Sequence, residues 1–465
     1  MHKAVAKYGL AAHLALLAVA PLFLFSFSGE KTTGVVLLWL CIYATMWLFL
    51  SPSLLGGEML NNARKRVLSS MLRDPAFWTV LAVLAVVALR SVNTGIRLTF
   101  DYETAEWTVL SPALPFLPGS TEDVGVFPFA AALSAVIVLL GCRHVLGKSA
   151  RMMFLLLLSV FSGVAAFVAL FLLATGDGTV SMAISTASQV FFSPGIGFAL
   201  CLLCSVVAIF AALERDWGKS LPLLGVAVAG NTAAAFVFLS SVDVIAFAIA
   251  YVFLLVFVGL LSWRVINGVK GLKGMLVLLF SLALACVVVC FTMPADAMEE
   301  KLTSLAVLEP KGNESEHDEN ADDDIISGVA SKIWSEHPWT GVGVGAFRFH
   351  PRFHLSREEL GRLPRCVLTA PNSWLHLLAE RGIVGAVLIG LPLVLLLCSY
   401  FAGVFRCIRR LSMPGSAVVL APIALSAVVF TAFHSASLLS IEVLTLSGAI
   451  LVISAKSFPK ENANG

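Results

Sequence analysis

The chain has 465 residues, of which 58% are apolar and only 13% charged, with a net charge of +2 and a mean hydropathy of +0.92. A soluble globular domain carries about 25% charged residues, so the composition excludes that class and describes an all-α polytopic membrane protein. So small a net charge gives no argument for a nucleic-acid partner.

A membrane-crossing helix needs about 20 mostly apolar residues. Twelve such segments are predicted, at 9–27, 34–50, 76–92, 126–142, 152–174, 190–212, 221–239, 242–262, 274–293, 382–400, 415–433 and 440–455. Lys3 and Lys7 ahead of the first resemble the start of a signal peptide, but no small-residue cleavage site follows Phe27, which favours an uncleaved anchor. Basic residues gather in alternate connections, at Arg64–Arg66, Arg143–Arg151, Arg215–Lys219, Arg264–Lys273 and Arg406–Arg410, and the intervening connections are acidic or nearly uncharged. By the positive-inside rule both termini are expected in the cytoplasm. The chain then divides into helices one to nine (1–293), one large outer loop (294–371), three closing helices (372–455) and a cytoplasmic tail (456–465).

The outer loop has two halves of opposite character. From Asp296 to Glu336 there are twelve acidic residues against Lys301, Lys311 and Lys332, which reads as a mobile, solvated stretch. From His337 to Arg365 the charge reverses: Arg348, Arg352, Arg357, Arg362 and Arg365 face only Glu358 and Glu359, and His337, His350 and His354 are interleaved. Guanidinium groups bind phosphate as a fork, which lysine does not reproduce, and this half contains no lysine. A phosphate-bearing ligand is therefore expected here, with a solvated loop meeting anionic lipid heads as the plain alternative. Gly341, Gly343 and Gly345 alternate with valine just before Phe347, a spacing that lets backbone N–H groups approach a diphosphate and also marks tight turns. The lysine of a nucleotide-binding loop is absent.

Other polar features carry less. Eight of the nine cysteines fall in or beside predicted helices, and Cys366 is alone in the outer loop. Cys201 and Cys204 have a redox or zinc spacing but lie in an apolar helix, where packing explains them. Glu122-Asp123 and Asp322-Asp323-Asp324 are read as holding no metal, and no cofactor is expected. Arg90, Asp243, His434 and Glu442 sit near helix ends, where snorkelling accounts for them. The apolar helix interiors argue against a secondary transporter.

Two stretches carry a family resemblance: His337-Pro-Trp-Thr-Gly-Val-Gly-Val-Gly-Ala-Phe347, and Pro371-Asn-Ser-Trp-Leu-His-Leu-Leu-Ala-Glu-Arg-Gly-Ile-Val-Gly385. Together they resemble the O-antigen ligase and polymerase family. The resemblance implies a metal-independent, inverting glycosyltransferase in a bacterial inner membrane, with its large loop in the periplasm. Such an enzyme moves glycan from an undecaprenyl-diphosphate carrier to a glycan or lipid acceptor hydroxyl. Two departures stand out: Pro371 occupies the usual place of a histidine, and Val242-Asp243 follow Ser240-Ser241 where the family has Ser-Arg. The base is then expected from His350, His354 or His376, with His354 preferred. Arg348, Arg352, Arg365, Asn372, Gly343 and Gly345 are the expected substrate-binding residues. A non-enzymatic polysaccharide or lipid exporter, a scaffold, and an inactive family member are the alternatives.

Overall fold

The structure, a computed structural model, describes residues 2–24, 30–50, 57–101, 106–112, 114, 119–121, 127–175, 193–215, 217–263, 268–306, 319–362, 369–409, 416–433 and 440–458. Seven helices among them are long and apolar enough to cross a membrane, and five further apolar helices are shorter where described. In chain order the long ones include Pro75–Val92, Phe127–Val145, Lys148–Ala174, Pro194–Glu214, Leu272–Thr292 and Ser373–Arg409. Each of the twelve predicted segments overlaps an apolar helix of the structure.

Pro194–Glu214 is wholly enclosed by the rest of the bundle. It packs against Lys148–Ala174, Leu221–Phe238, Ser241–Trp263 and Ile441–Lys456. Small residues let these helices approach: a Cβ at Gly163 would lie 2.6 Å from the Cα of Ala227, and one at Gly230 would lie 2.8 Å from the Phe167 ring. In hydrocarbon, packing and interhelical hydrogen bonds hold helices together, and buried Asn231 supplies such bonds by donating to Ser162 Oγ at 2.9 Å and Ser205 Oγ at 3.4 Å.

Helix ends are fixed by polar contacts. Asp74 accepts the N–H of Ala76 at 3.1 Å ahead of Pro75, a strong start signal, and also binds Arg143 and, at 3.1 Å, His144. Ser240 donates to Asp243 Oδ2 at 2.7 Å at the head of Ser241–Trp263. Asp243 therefore belongs to a helix start. Lys301 donates to the carbonyls of Val237 and Leu239 at 2.9 and 2.8 Å, placing a cation at the C-terminal end of Leu221–Phe238 where the helix dipole favours it.

Two features differ from the sequence expectation. A three-stranded sheet, β1 (Thr94–Asp101), β2 (Glu106–Leu110) and β3 (Ser120–Thr121), has the order β2-β1-β3. The acidic half of the long connection contains two helices, Ala295–Ala306 and Glu319–Glu336, where a mobile stretch is expected. The second is held because Ile326, Val329, Ala330 and Ile333 recur at helical spacing and bury themselves with Phe347, Ala370 and Ala379. Its acidic residues Asp323 and Asp324 remain exposed.

Candidate functional site

The second resemblance stretch builds a broken helix. Asn372 accepts the N–H groups of Trp374 and Leu375 at 2.9 and 3.4 Å, starting a helix that Gly382 interrupts with φ 63° and ψ −174°. Such a break orphans carbonyls on one side and N–H groups on the other, and the 338–343 segment satisfies both. Val342 and Gly343 donate to the carbonyls of Ala379 and Glu380, each at 3.0 Å. Ile383 and Val384 donate to Pro338 and Trp339 at 2.9 and 3.2 Å. Only glycine fits this approach: a Cβ on Gly341 would lie 2.3 Å from the backbone of Glu380, and one on Gly382 would lie 2.3 Å from the Trp339 oxygen.

Glu380 completes the junction. Its Oε1 accepts the N–H of Gly345 at 2.9 Å and of Phe347 at 3.4 Å. Gly341 donates to His337, Val344 to Gly119 and Ala346 to Gly343. Every backbone N–H from Gly341 to Phe347 is thus committed within the protein, and the acceptor beside the glycine run is the Glu380 carboxyl group. The N–H groups of Gly343 and Gly345, expected to face a diphosphate, are engaged within the protein here, and Asn372 serves as a helix cap.

His376 is fully buried. Its Nδ1 accepts the Ala370 N–H at 3.4 Å, its Nε2 lies 3.6 Å from Glu380 Oε2, and its ring meets Phe347 edge-on at 5.2 Å. It packs beside Glu380 in the protein interior. Removing Glu380 as Ala is expected to strand the Gly345 and Phe347 donors at roughly 1–3 kcal/mol each, lowering the thermal midpoint of the detergent-solubilised protein. Glu380→Gln keeps an accepting oxygen and is expected to lose much less. Equal losses in both variants would contradict this role.

Two arginines converge beside the junction. Arg90, in the last turn of Pro75–Val92, is 5% exposed and donates from Nη2 to the backbone oxygen of Arg381 at 3.4 Å. The Nε atoms of Arg90 and Arg381 are buried and have no hydrogen-bond partner among the described residues. Among the described residues, Arg381 is the one charged residue lining a half-open cleft whose other walls are apolar, including Val83, Val87, Ala132, Ala135, Ile389 and Leu393. Pro75–Val92, Phe127–Leu140, Ser373–Arg409 and Ile441–Lys456 all contribute to it. In the sequence Arg90 reads as a snorkelling helix-end residue and Arg381 is given no role of its own within the second resemblance stretch, although an arginine in an apolar helix is a functional signal by default.

The predicted basic half does not converge in this way. The Arg348 guanidinium lies 4.9 Å over the Phe349 ring and that of Arg352 5.6 Å over the Trp107 ring. Arg357 is exposed on a short helix, Arg357–Arg362, and Arg365 lies outside the described residues. His350 and His354 stack at 6.1 Å, and His354 Nε2 lies 3.8 Å from Glu336 Oε2. Glu336, which the sequence grouped with the acidic half, is therefore a neighbour of the candidate base.

Burial, followed by the nearby His354 and His337, pushes His350 down to about 4, against an opposing pull from Glu336. A histidine held below its unfolded value binds fewer protons when folded, so its contribution is complete above pH ~6.5 and declines as pH falls towards ~4. The thermal midpoint is expected to drop through that window, and His350→Gln to remove part of the drop. An unchanged pH profile in the variant would contradict it.

A family model described as O-antigen ligase matches residues 226–390, a span that holds both resemblance stretches, the glycine run, Glu380 and Arg381, and leaves Arg90 outside. No curated protein matches the chain. Residues 226–390 of this membrane protein are thus similar to the O-antigen ligase family.

Proposed function

We propose that the protein is a metal-independent, inverting glycosyltransferase, a surface-polysaccharide ligase or polymerase that takes glycan from an undecaprenyl-diphosphate carrier. It works at the periplasmic face of a bacterial inner membrane, with both termini cytoplasmic. One observation carries this reading: Arg381 in the wall of an apolar cleft between helices and Arg90 beside it, each with a buried Nε that has no hydrogen-bond partner among the described residues. A lipid diphosphate has the matching parts. Its tail fills an apolar cleft, and its phosphates offer the forked acceptors that arginine favours.

The chemistry follows from these parts. The acceptor hydroxyl oxygen bonds to the anomeric carbon as the bond from that carbon to the diphosphate oxygen breaks, inverting the centre. The hydroxyl proton passes to a histidine, and the electron pair leaves on the diphosphate. Charge develops on that leaving group, where Arg90 and Arg381 stabilise it in a water-poor setting that strengthens the effect. His354 is the preferred base, oriented by Glu336 much as a carboxylate orients a catalytic histidine. The arginine missing after Ser240-Ser241 is replaced in function by cations from other helices.

A lipid diphosphate with a photoreactive isoprenoid tests the cleft directly. Cross-links are expected in the segments 80–87, 131–139 and 389–393. Cross-links confined to other helices would refute the assignment.

A further inference from the structure

Trp107 lies on the edge strand of the small sheet, directly opposite Phe100 in the antiparallel register, and the two rings meet edge-on at 5.2 Å. Trp107 nevertheless remains 47% exposed, and Arg352, reaching from the turn Pro351–His354, covers its ring at 5.6 Å. The same turn carries Phe353, 44% exposed, against His350 at 6.1 Å. His354, facing Glu336, completes the group. Two exposed aromatic rings are here held by neighbours of both charge signs, on segments separated widely in sequence.

We infer that Trp107, Arg352 and Phe353 form a stacking platform for the sugar chain of the acceptor, which delivers a hydroxyl to His354. This rests on the transfer reaction proposed above and names its second substrate as a glycan bound by aromatic stacking. Sugar rings present flat C–H faces that lie against aromatic rings, while their hydroxyls need donors and acceptors at the rim. Arg352 offers donors there, and Glu336 and the base His354 offer acceptors. A membrane-interface belt also uses tryptophan, but the half-exposed Glu336 carboxylate in the group opposes anionic headgroups.

The test is saturation-transfer NMR on the full-length protein in nanodiscs, with glycan released by mild acid from the surface of the cells that make the protein. Wild-type protein is expected to saturate sugar-ring protons. Trp107→Ala is expected to weaken binding about tenfold, the scale of one aromatic contact, and Trp107→Phe to restore most of it, with thermal midpoints unchanged. Absence of saturation in the wild type, or equal saturation in Trp107→Ala, would overturn the platform. So would a Trp107→Ala defect seen only in binding to anionic vesicles. Arg381→Lys is expected to keep glycan binding. If wild-type protein binds glycan through Trp107 yet transfers none, the transfer reading fails and the platform stands.

Discussion

Arg381→Lys and Arg90→Lys are each expected to reduce single-turnover glycan transfer by roughly 10²–10³-fold, the cost of removing one well-placed donor from a developing oxyanion. Both variants keep the positive charge. They lose the planar fork and its multiple donors. The change matters more here than on a surface, because the Nε atoms of both are buried and Arg381 faces a cleft with no other charged lining residue among those described. Arg357, exposed on its short helix, is the internal control, and Arg357→Lys is expected to leave transfer unchanged. The readout is the rate of free carrier diphosphate release at saturating donor. Equal loss at all three positions would mean that bulk attraction to an anionic surface, and not a built diphosphate site, governs activity.

The second large effect concerns the proton. His354→Ala is expected to lower the transfer rate by roughly 10²–10⁴-fold, as loss of a general base does, with thermal stability and carrier binding retained. His350→Ala, which removes the stacked neighbour and not the base, is expected to cost less. His376→Ala is expected to act through stability, because that ring is fully buried between Phe347 and Glu380. Full activity in His354→Ala with impaired His350→Ala would move the base to His350. Full activity in both would leave leaving-group stabilisation by arginine as the chemical contribution.

The apolar helices were legible because hydropathy alone identifies a segment that must satisfy its backbone internally. The second acidic helix was not, since its charged residues dominate the composition while four apolar positions, Ile326, Val329, Ala330 and Ile333, decide its docking. The small sheet was hidden for a related reason: β3 has only two residues and gains its place by pairing with β1 and Val344. At the site, the sequence singled out the junction and its glycines, which the structure packs against each other. It did not foresee that their N–H groups are consumed by Glu380 and by backbone carbonyls. That outcome depends on the break at Gly382 meeting a segment some forty residues earlier. Arg90 and Arg381 are 291 residues apart, and no local pattern connects them. Residues within one stretch, such as Arg348 and Arg352, read as a cluster but point to different rings.

The most direct measurement is reconstituted transfer. Purified protein in nanodiscs is given undecaprenyl-diphosphate-linked glycan and delipidated acceptor glycan, with a chelator present and no nucleotide. Equal amounts of lengthened or decorated acceptor and free carrier diphosphate are expected, with product of inverted anomeric configuration and no product from the Arg381→Lys protein on the same timescale. Intact donor after prolonged incubation with folded, carrier-binding protein, or turnover only when a divalent metal or nucleotide is restored, would contradict it.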